Sequence, residues 1–397
     1  MILDLSAFLA THNAELVHLR RHLHAHPELG RAERETTALV ARRLEAVGLR
    51  PRLLPIATGL TCDVGNADGP VVALRADIDA LPLQDEKDVP YRSTVPGVCH
   101  ACGHDVHTTV LLGVGLALAA QAEQLPGRVR LIFQPAEETL PGGSLEVISA
   151  GMLDGVDVIY ALHCDPKLEV GRLGVRVGAI TAASDKVQVH LSGPGGHTAR
   201  PHLTADLVYL ISRVVTDLPA TLERLVDPRV ALNLTFGAIS SGTVHNAIPT
   251  TAVAKGTLRV LDRSVWGEAQ KLVERVLEAT MGPFPQVTYH LDYERGSPPV
   301  VNDERATALL ATAARRAIGD ETVFTAQQSM GGEDFSWYLE DVPGAMARLG
   351  VRIPGTDLDL HAAQFDVDER AIAVGVRILA QAAVDALVDF GKERSED

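Results

Sequence analysis

Two kinds of apolar pattern divide the chain. Between residues 71 and 163 the apolar positions come in nearly continuous runs, VVAL, VLLGVGLALAA, LIF and VIYAL; from residue 184 they alternate with polar ones, as in KVQVHLSG and TAVAKGTLRVLD. Unbroken runs suit elements covered on both faces, and alternation suits strands with one wet face. The first region predicts a strand ending in Asp77, an apolar helix capped by Thr108 and Thr109, and a strand GRVRLIF running into Glu137 and Glu138. A short helix at 143–150 and a strand VDVIYAL ending in His163 follow. Strands alternating with helices predict a mostly parallel α/β sheet with right-handed crossovers.

The alternating region reads as strand, helix (204–224), two strands, helix (264–281) and the strand QVTYHLDYE. That β-α-β-β-α-β order is the ferredoxin-like arrangement. After SPPVVND the first character returns, with a helix at 303–318, the loop SMGGEDF, a strand near AMARLGV and a helix at 368–390. Helices at 4–25, stopped by Pro27 and Gly30, and at 33–47, followed by Gly48, precede the sheet. The expected organisation is an α/β domain over residues 1–183 and 295–397, interrupted by an α+β domain at 184–294. A length of 397 residues agrees, because one hydrophobic core stops growing before that size.

Composition adds exclusions. With 46% hydrophobic and 22% charged residues the chain is an ordinary globular one. Its net charge of -15 argues against nucleic acid or an anionic membrane as a partner, since both require a basic surface. Asp4 stands where a secretory signal would be basic, and the apolar run 110–120 is too short to cross a bilayer, so a cytoplasmic location is expected. Cysteines 62, 99, 102 and 164 are too few for a disulfide scaffold, and the Cys99–Cys102 pair lacks the second pair of a zinc ribbon.

The chemistry concentrates in residues 99–107, CHACGHDVH, which hold two cysteines, three histidines and an aspartate. Asp77, Glu137, Glu138 and His163 fall at strand ends, the edge of an open α/β sheet where ligands bind. Together with His361, before the last helix, they give the donors Cys102, His104, Glu138, His163 and His361, with Glu137 beside them. Five donors exceed the four of a structural zinc site and suit two cations about 3.5–4 Å apart that share a hydroxide for hydrolysis. One of the two adjacent glutamates could bind while the other moves a proton. His22, His24 and His26 are bunched on a charged helix, where histidines are ordinarily solvated.

The segments HAHPEL, RADIDALP, HACGHDVHTT, FQPAEE, ALHCDP, GPGGHTARPH, NAIP, GTLR and GGEDF, in this order, resemble the dinuclear-metal aminoacylase/carboxypeptidase family. The resemblance is to its amidohydrolase branch of hippurate hydrolases, N-acetyl-diaminopimelate deacetylase and auxin-conjugate hydrolases, and it spans essentially the whole chain. It implies a metallohydrolase catalytic domain with an inserted ferredoxin-like lid that also forms a homodimer. It further implies that Cys102, His104, Glu138, His163 and His361 hold two divalent ions (zinc, manganese, nickel or cobalt) and that Glu137 is the general base and acid. His197 is implied to polarise the scissile carbonyl, and Asn246 and Arg259 to bind a small N-acyl amino acid. Arg75 stands where other branches have a histidine ligand, and Asp77 is expected to orient a ligand from behind. Cys99 and Cys164 depart from the branch and are expected near the metals, and Ala362-Ala363 replaces a stiffer pair after His361.

The function expected is metal-dependent hydrolysis of an acetyl or aryl-acyl amino acid. A dipeptidase or carboxypeptidase with the same chemistry is the alternative within enzymes. A catalytically silent binding protein, or a redox protein using Cys99 and Cys102, are the alternatives outside that class.

Overall fold

The computed structural model describes residues 3–66 and 68–394, and the chain divides into two compact units. The first comprises residues 1–180, 301–327 and 334–397, and the second 181–300 and 328–333.

The first unit is built on an eight-stranded sheet whose middle, Arg128–Gln134, Val71–Asp77, Val158–Glu169 and Gly344–Arg352, is parallel in that order. Leu60–Gly65 and Arg52–Leu53 extend one side antiparallel; Leu173–Val175 and Val323–Thr325 form the other. Seven of seven residues in Val71–Asp77 are buried, which is why this strand shows no alternation. The helices Ser6–Ala25, His104–Ala119, Glu304–Ile318 and Arg370–Glu393 share one apolar core with the sheet. Packing is close enough that glycine is required: a Cβ at Gly113 would stand 2.7 Å from Val376, and one at Gly375 2.8 Å from Val110. Arg370–Glu393 has the length and apolar composition of a membrane span, but most of it is buried in this core.

Two sequence expectations need correction here. The apolar helix begins at His104, four residues before Thr108, because Gly103 takes a left-handed conformation (φ +92°) that turns the chain into it. Thr108 and Thr109 are therefore inside the helix, their hydroxyls donating to the carbonyls of Asp77 and Asp105. His163 does not end its strand, which runs on to Glu169 beside Gly344–Arg352. Its register on Val71–Asp77, Arg75 opposite Ala161, still brings it level with the end of that shorter neighbour.

The second unit is built on a four-stranded antiparallel sheet in the order Leu232–Ser241, Thr251–Val260, Ala183–Ser192, Thr288–Ser297, with helices Leu207–Leu225 and Arg263–Met281. This is the ferredoxin-like topology, and Ala183–Ser192 buries every second residue. Asp185 anchors it, accepting from Trp266 Nε1 (3.0 Å), Gly296 N (2.9 Å) and the Tyr293 hydroxyl (2.5 Å). The connecting residues belong to this unit because Ala182 N donates to the Ser329 and Gly331 carbonyls and Val300 N to Thr181 Oγ1.

Back in the first unit, a buried charge network ties the N-terminal helix to the metal-ligand loop. Arg20 and His24 both reach Asp105 Oδ2 at 2.7 Å, and Arg20 also holds Asp366 at 2.9 Å. His24 is thus a buried partner of Asp105 rather than a solvated surface histidine, whereas His22 and His26 are exposed. Replacing Arg20 by Met should lower stability by about 3–5 kcal/mol, because Asp105 would stay buried without its counter-charge; thermal unfolding checks this. Glu33, also fully buried, has its carboxyl pushed up to about 7 by burial. Its folded value lies above the unfolded one, so stability falls as pH rises from about 4.5 to 7. Glu33→Gln, which has no charge to bury, should match wild type near pH 4.5 and exceed it by on the order of 3 kcal/mol at pH 8, measured by denaturation at both pH values.

Candidate metal centre

Three segments and one loop of the first unit bring donors together at the C-terminal edge of the parallel strands. The ligand atoms of Cys102, His104 and His163 lie within 4.8 Å of one another, as do those of Cys102, Glu138 and His361, and of His104, Glu137 and Glu138. Cys102 precedes the Gly103 turn, His104 opens the helix, and the glutamates follow Arg128–Gln134 by three and four residues. His361 is held in a left-handed conformation (φ +59°), its N–H donating to the Ala101 carbonyl at 2.8 Å, so backbone bonding does what a stiffer sequence after it would have done.

His104 and His163 each have one nitrogen occupied from behind, which leaves the other facing the cluster. His104 Nδ1 meets the Asp79 carbonyl (2.9 Å) and Oδ1 (3.2 Å), turning Nε2 towards Asp77 Oδ2 (3.5 Å) and Glu138 Oε1 (3.9 Å). His163 Nδ1 donates to the Cys164 carbonyl (2.8 Å), so Nε2 faces Cys102 Sγ at 3.5 Å. His361 Nε2 lies 3.2 Å from Glu138 Oε1. Among the described residues, His104 Nε2 and Glu138 Oε1 are buried without any hydrogen bond, which such groups rarely are.

Electrostatics explain the demand. Burial opposes charge on His104, but Asp77, Asp79 and Glu138 outweigh it and push its imidazole up to about 10. An excess of buried carboxylate that holds a proton there would hold a dication in its place. On His163 burial acts in the same sense but is not outweighed: with Arg348 it keeps the ring neutral, as a ligand must be. This donor set, thiol, imidazole and carboxylate, fits borderline divalent ions.

The rest of the loop serves as support. His107 donates from Nδ1 to Asp77 Oδ1 (2.6 Å) and accepts the Cys164 N–H at Nε2 (2.8 Å), so both its nitrogens are engaged. His100 is buried with neither ring nitrogen hydrogen-bonded, and burial lowers it to about 3. Cys99 belongs to the apolar core, where burial raises its thiol to about 11, and Cys164 is raised likewise against the Gly103 backbone. Neither thiol is among the converging donors of the described residues.

Sequence reasoning missed the frame. Arg75 donates from Nη1 to Asp77 (2.7 Å), from Nε to Gln134 (2.9 Å) and from Nη2 to Asp334 of the GGEDF loop (2.9 Å). Asp334 in turn accepts from Ser144 N (3.0 Å), and its own N–H reaches Glu137 Oε1 at 3.4 Å. A carboxylate every second residue in RADIDALP was the available signal, because an arginine and two aspartates cannot share a buried strand end without bonding something.

In the second unit, His197 is exposed on the short strand Gly196–His197, its Nδ1 accepting from Ala199 N at 3.0 Å. The Asn246 carbonyl accepts from Thr198 N, and Arg259 Nη1 donates to the Met330 carbonyl at 2.7 Å.

Residues 73–385 match the family model described as Peptidase family M20/M25/M40. The N-acetyl-L-cysteine deacetylase of Bacillus subtilis (strain 168) is 38% identical over 386 residues, 97% of this chain and 91% of that protein. A putative glutamate–cysteine ligase 2-3 of Rhodococcus jostii (strain RHA1) is 51% identical over 92% of this chain, but the chain spans 46% of that protein. Among solved structures, the Bacillus subtilis YXEP protein, described as a dinuclear metal binding peptidase from the M20 family, superposes with a TM-score of 0.83. It is 32% identical, with 96% of this chain and 99% of that one covered. The chain belongs to the peptidase family M20/M25/M40.

Proposed function

We propose that this chain is a metal-dependent amidohydrolase that cleaves the amide bond of N-acyl amino acids, with Cys102, His104, Glu138, His163 and His361 holding two divalent cations. The observation that carries this is that two buried atoms, His104 Nε2 and Glu138 Oε1, lie without a hydrogen bond inside a cluster of five donors. The similarity to a protein named N-acetyl-L-cysteine deacetylase supports an acetyl or aryl-acyl group on an amino acid. Zinc, manganese, nickel and cobalt all suit the mixed donors.

When bound, the cations would polarise the scissile carbonyl and acidify the attacking water. Glu137 takes the proton from that water as the oxygen attacks the carbonyl carbon, then delivers it to the amide nitrogen as the C–N bond breaks. The Asp334 N–H at 3.4 Å from Glu137 Oε1 helps to keep this carboxylate in place. His197 stabilises charge on the carbonyl oxygen, and Asn246 and Arg259 hold the amino-acid part. A guanidinium suits the substrate carboxylate because it offers two parallel N–H donors. The second unit is also the surface through which a homodimer would form. A dipeptidase or carboxypeptidase activity would use the same machinery, and turnover of N-acetyl, N-benzoyl and dipeptide substrates side by side distinguishes them.

Glu137→Ala should cut kcat by at least about 10²-fold and keep both metals, whereas Glu138→Ala should lose metal as well; elemental analysis beside turnover checks both, and full activity in Glu137→Ala contradicts the mechanism. Arg259→Ala should raise KM about tenfold for substrates with a free carboxylate and hardly at all for their amides. Equal effects on the two would rule out the clamp.

A further inference from the structure

The glutamate given the proton-transfer role follows a backbone conformation that its residue type does not favour. Ala136 has φ +56°, the left-handed region where a Cβ is strained. Such an outlier persists only where its surroundings impose it. Here the imposing bonds come from two buried carboxylates, one on each side of Glu137: Ala136 N–H donates to Glu33 Oε1 at 2.7 Å, and Glu138 N–H to Asp79 Oδ2 at 2.9 Å. The Ala136 carbonyl is closed by Gly143 N at 3.0 Å.

The two braces are not equivalent. Asp79 also accepts from His104, so its loss would disturb a metal ligand directly. Glu33 stands apart: it precedes the helix Arg34–Glu45, its carbonyl is fixed by Thr37 N and Oγ1, and its side chain reaches across 103 residues of sequence to the Ala136 amide. Gly30 on the same N-terminal loop lies so close that a Cβ there would be 3.2 Å from Ala136 Cα. The loop and the turn are therefore packed together, with Glu33 supplying the directional bond.

We propose that Glu33 is a positioning residue for hydrolysis, holding Ala136 in its left-handed conformation so that the Glu137 carboxylate is directed into the metal-ligand cluster. This rests on the reading of Glu137 as the proton-transfer group. Without the acceptor, Ala136 relaxes to an ordinary conformation and rotates the peptide that carries Glu137. A displacement of that kind affects the chemical step more than substrate binding.

The test compares Glu33→Met, near in size and without an acceptor, with Glu33→Gln, which keeps an amide oxygen at the same place, in the metal-loaded protein. Glu33→Met should lose about thirtyfold in kcat, with KM within about twofold of wild type and both metals retained. Glu33→Gln should recover kcat to within about threefold of wild type. A wild-type kcat in Glu33→Met, loss of metal from it, or an equal deficit in both variants would overturn the proposal. Should Glu33→Met fail to fold, Glu33→Ala is read by the same criteria. Glu137→Ala in the same series separates the two readings: if it turns over substrate, the role of Glu137 is wrong, and if it is dead while Glu33→Met is normal, only the positioning role fails.

Discussion

The site depends on one buried cation of the chain itself, the Arg75 guanidinium. It sits at the end of Val71–Asp77 and bonds a residue of its own strand, one of the neighbouring strand and one of a loop more than 250 residues away, Asp77, Gln134 and Asp334. Burial opposes ionisation of Asp77, yet Arg75, with His104 and His107, outweighs it and holds the carboxyl well below its usual range. Without that cation the strand end would gather aspartates that could not all stay charged in a dry interior. With it, Asp77 bonds His107, His107 bonds the Cys164 amide, and Asp334 stands under Glu137.

Outside this frame the same sign of charge remains in excess around His104 and Glu138. Asp77 and Asp334, which Arg75 bonds, hold the frame, while Glu138 stands among the metal-ligand donors. An arginine at position 75 cannot ligate a metal, but it holds the scaffold on which other ligands converge.

Much of this was legible in the chain. Unbroken apolar runs marked the buried parallel strands, alternation marked the second sheet, and polar residues at strand ends marked the edge where the donors meet. What stayed hidden was set by geometry that no periodicity encodes. The helix starts at His104 because Gly103 adopts φ +92°, which a sequence of alternating cysteines and histidines does not announce. His24 looked like one of three surface histidines, yet its ring faces a buried aspartate far along the chain. Glu33 carried no signal at all beyond a charged residue at the start of an expected helix, since its partner is a backbone amide.

The central claim is that the converging donors exist to hold two cations and that hydrolysis requires them. The most direct measurement is to strip the protein with a chelator and follow turnover of an N-acyl amino acid while a divalent ion is added back in counted equivalents. Turnover should be absent in the stripped protein, reach its plateau at two equivalents per chain and fail to recover in Glu138→Ala. Full turnover in the stripped protein, or a plateau with no metal bound, would contradict it.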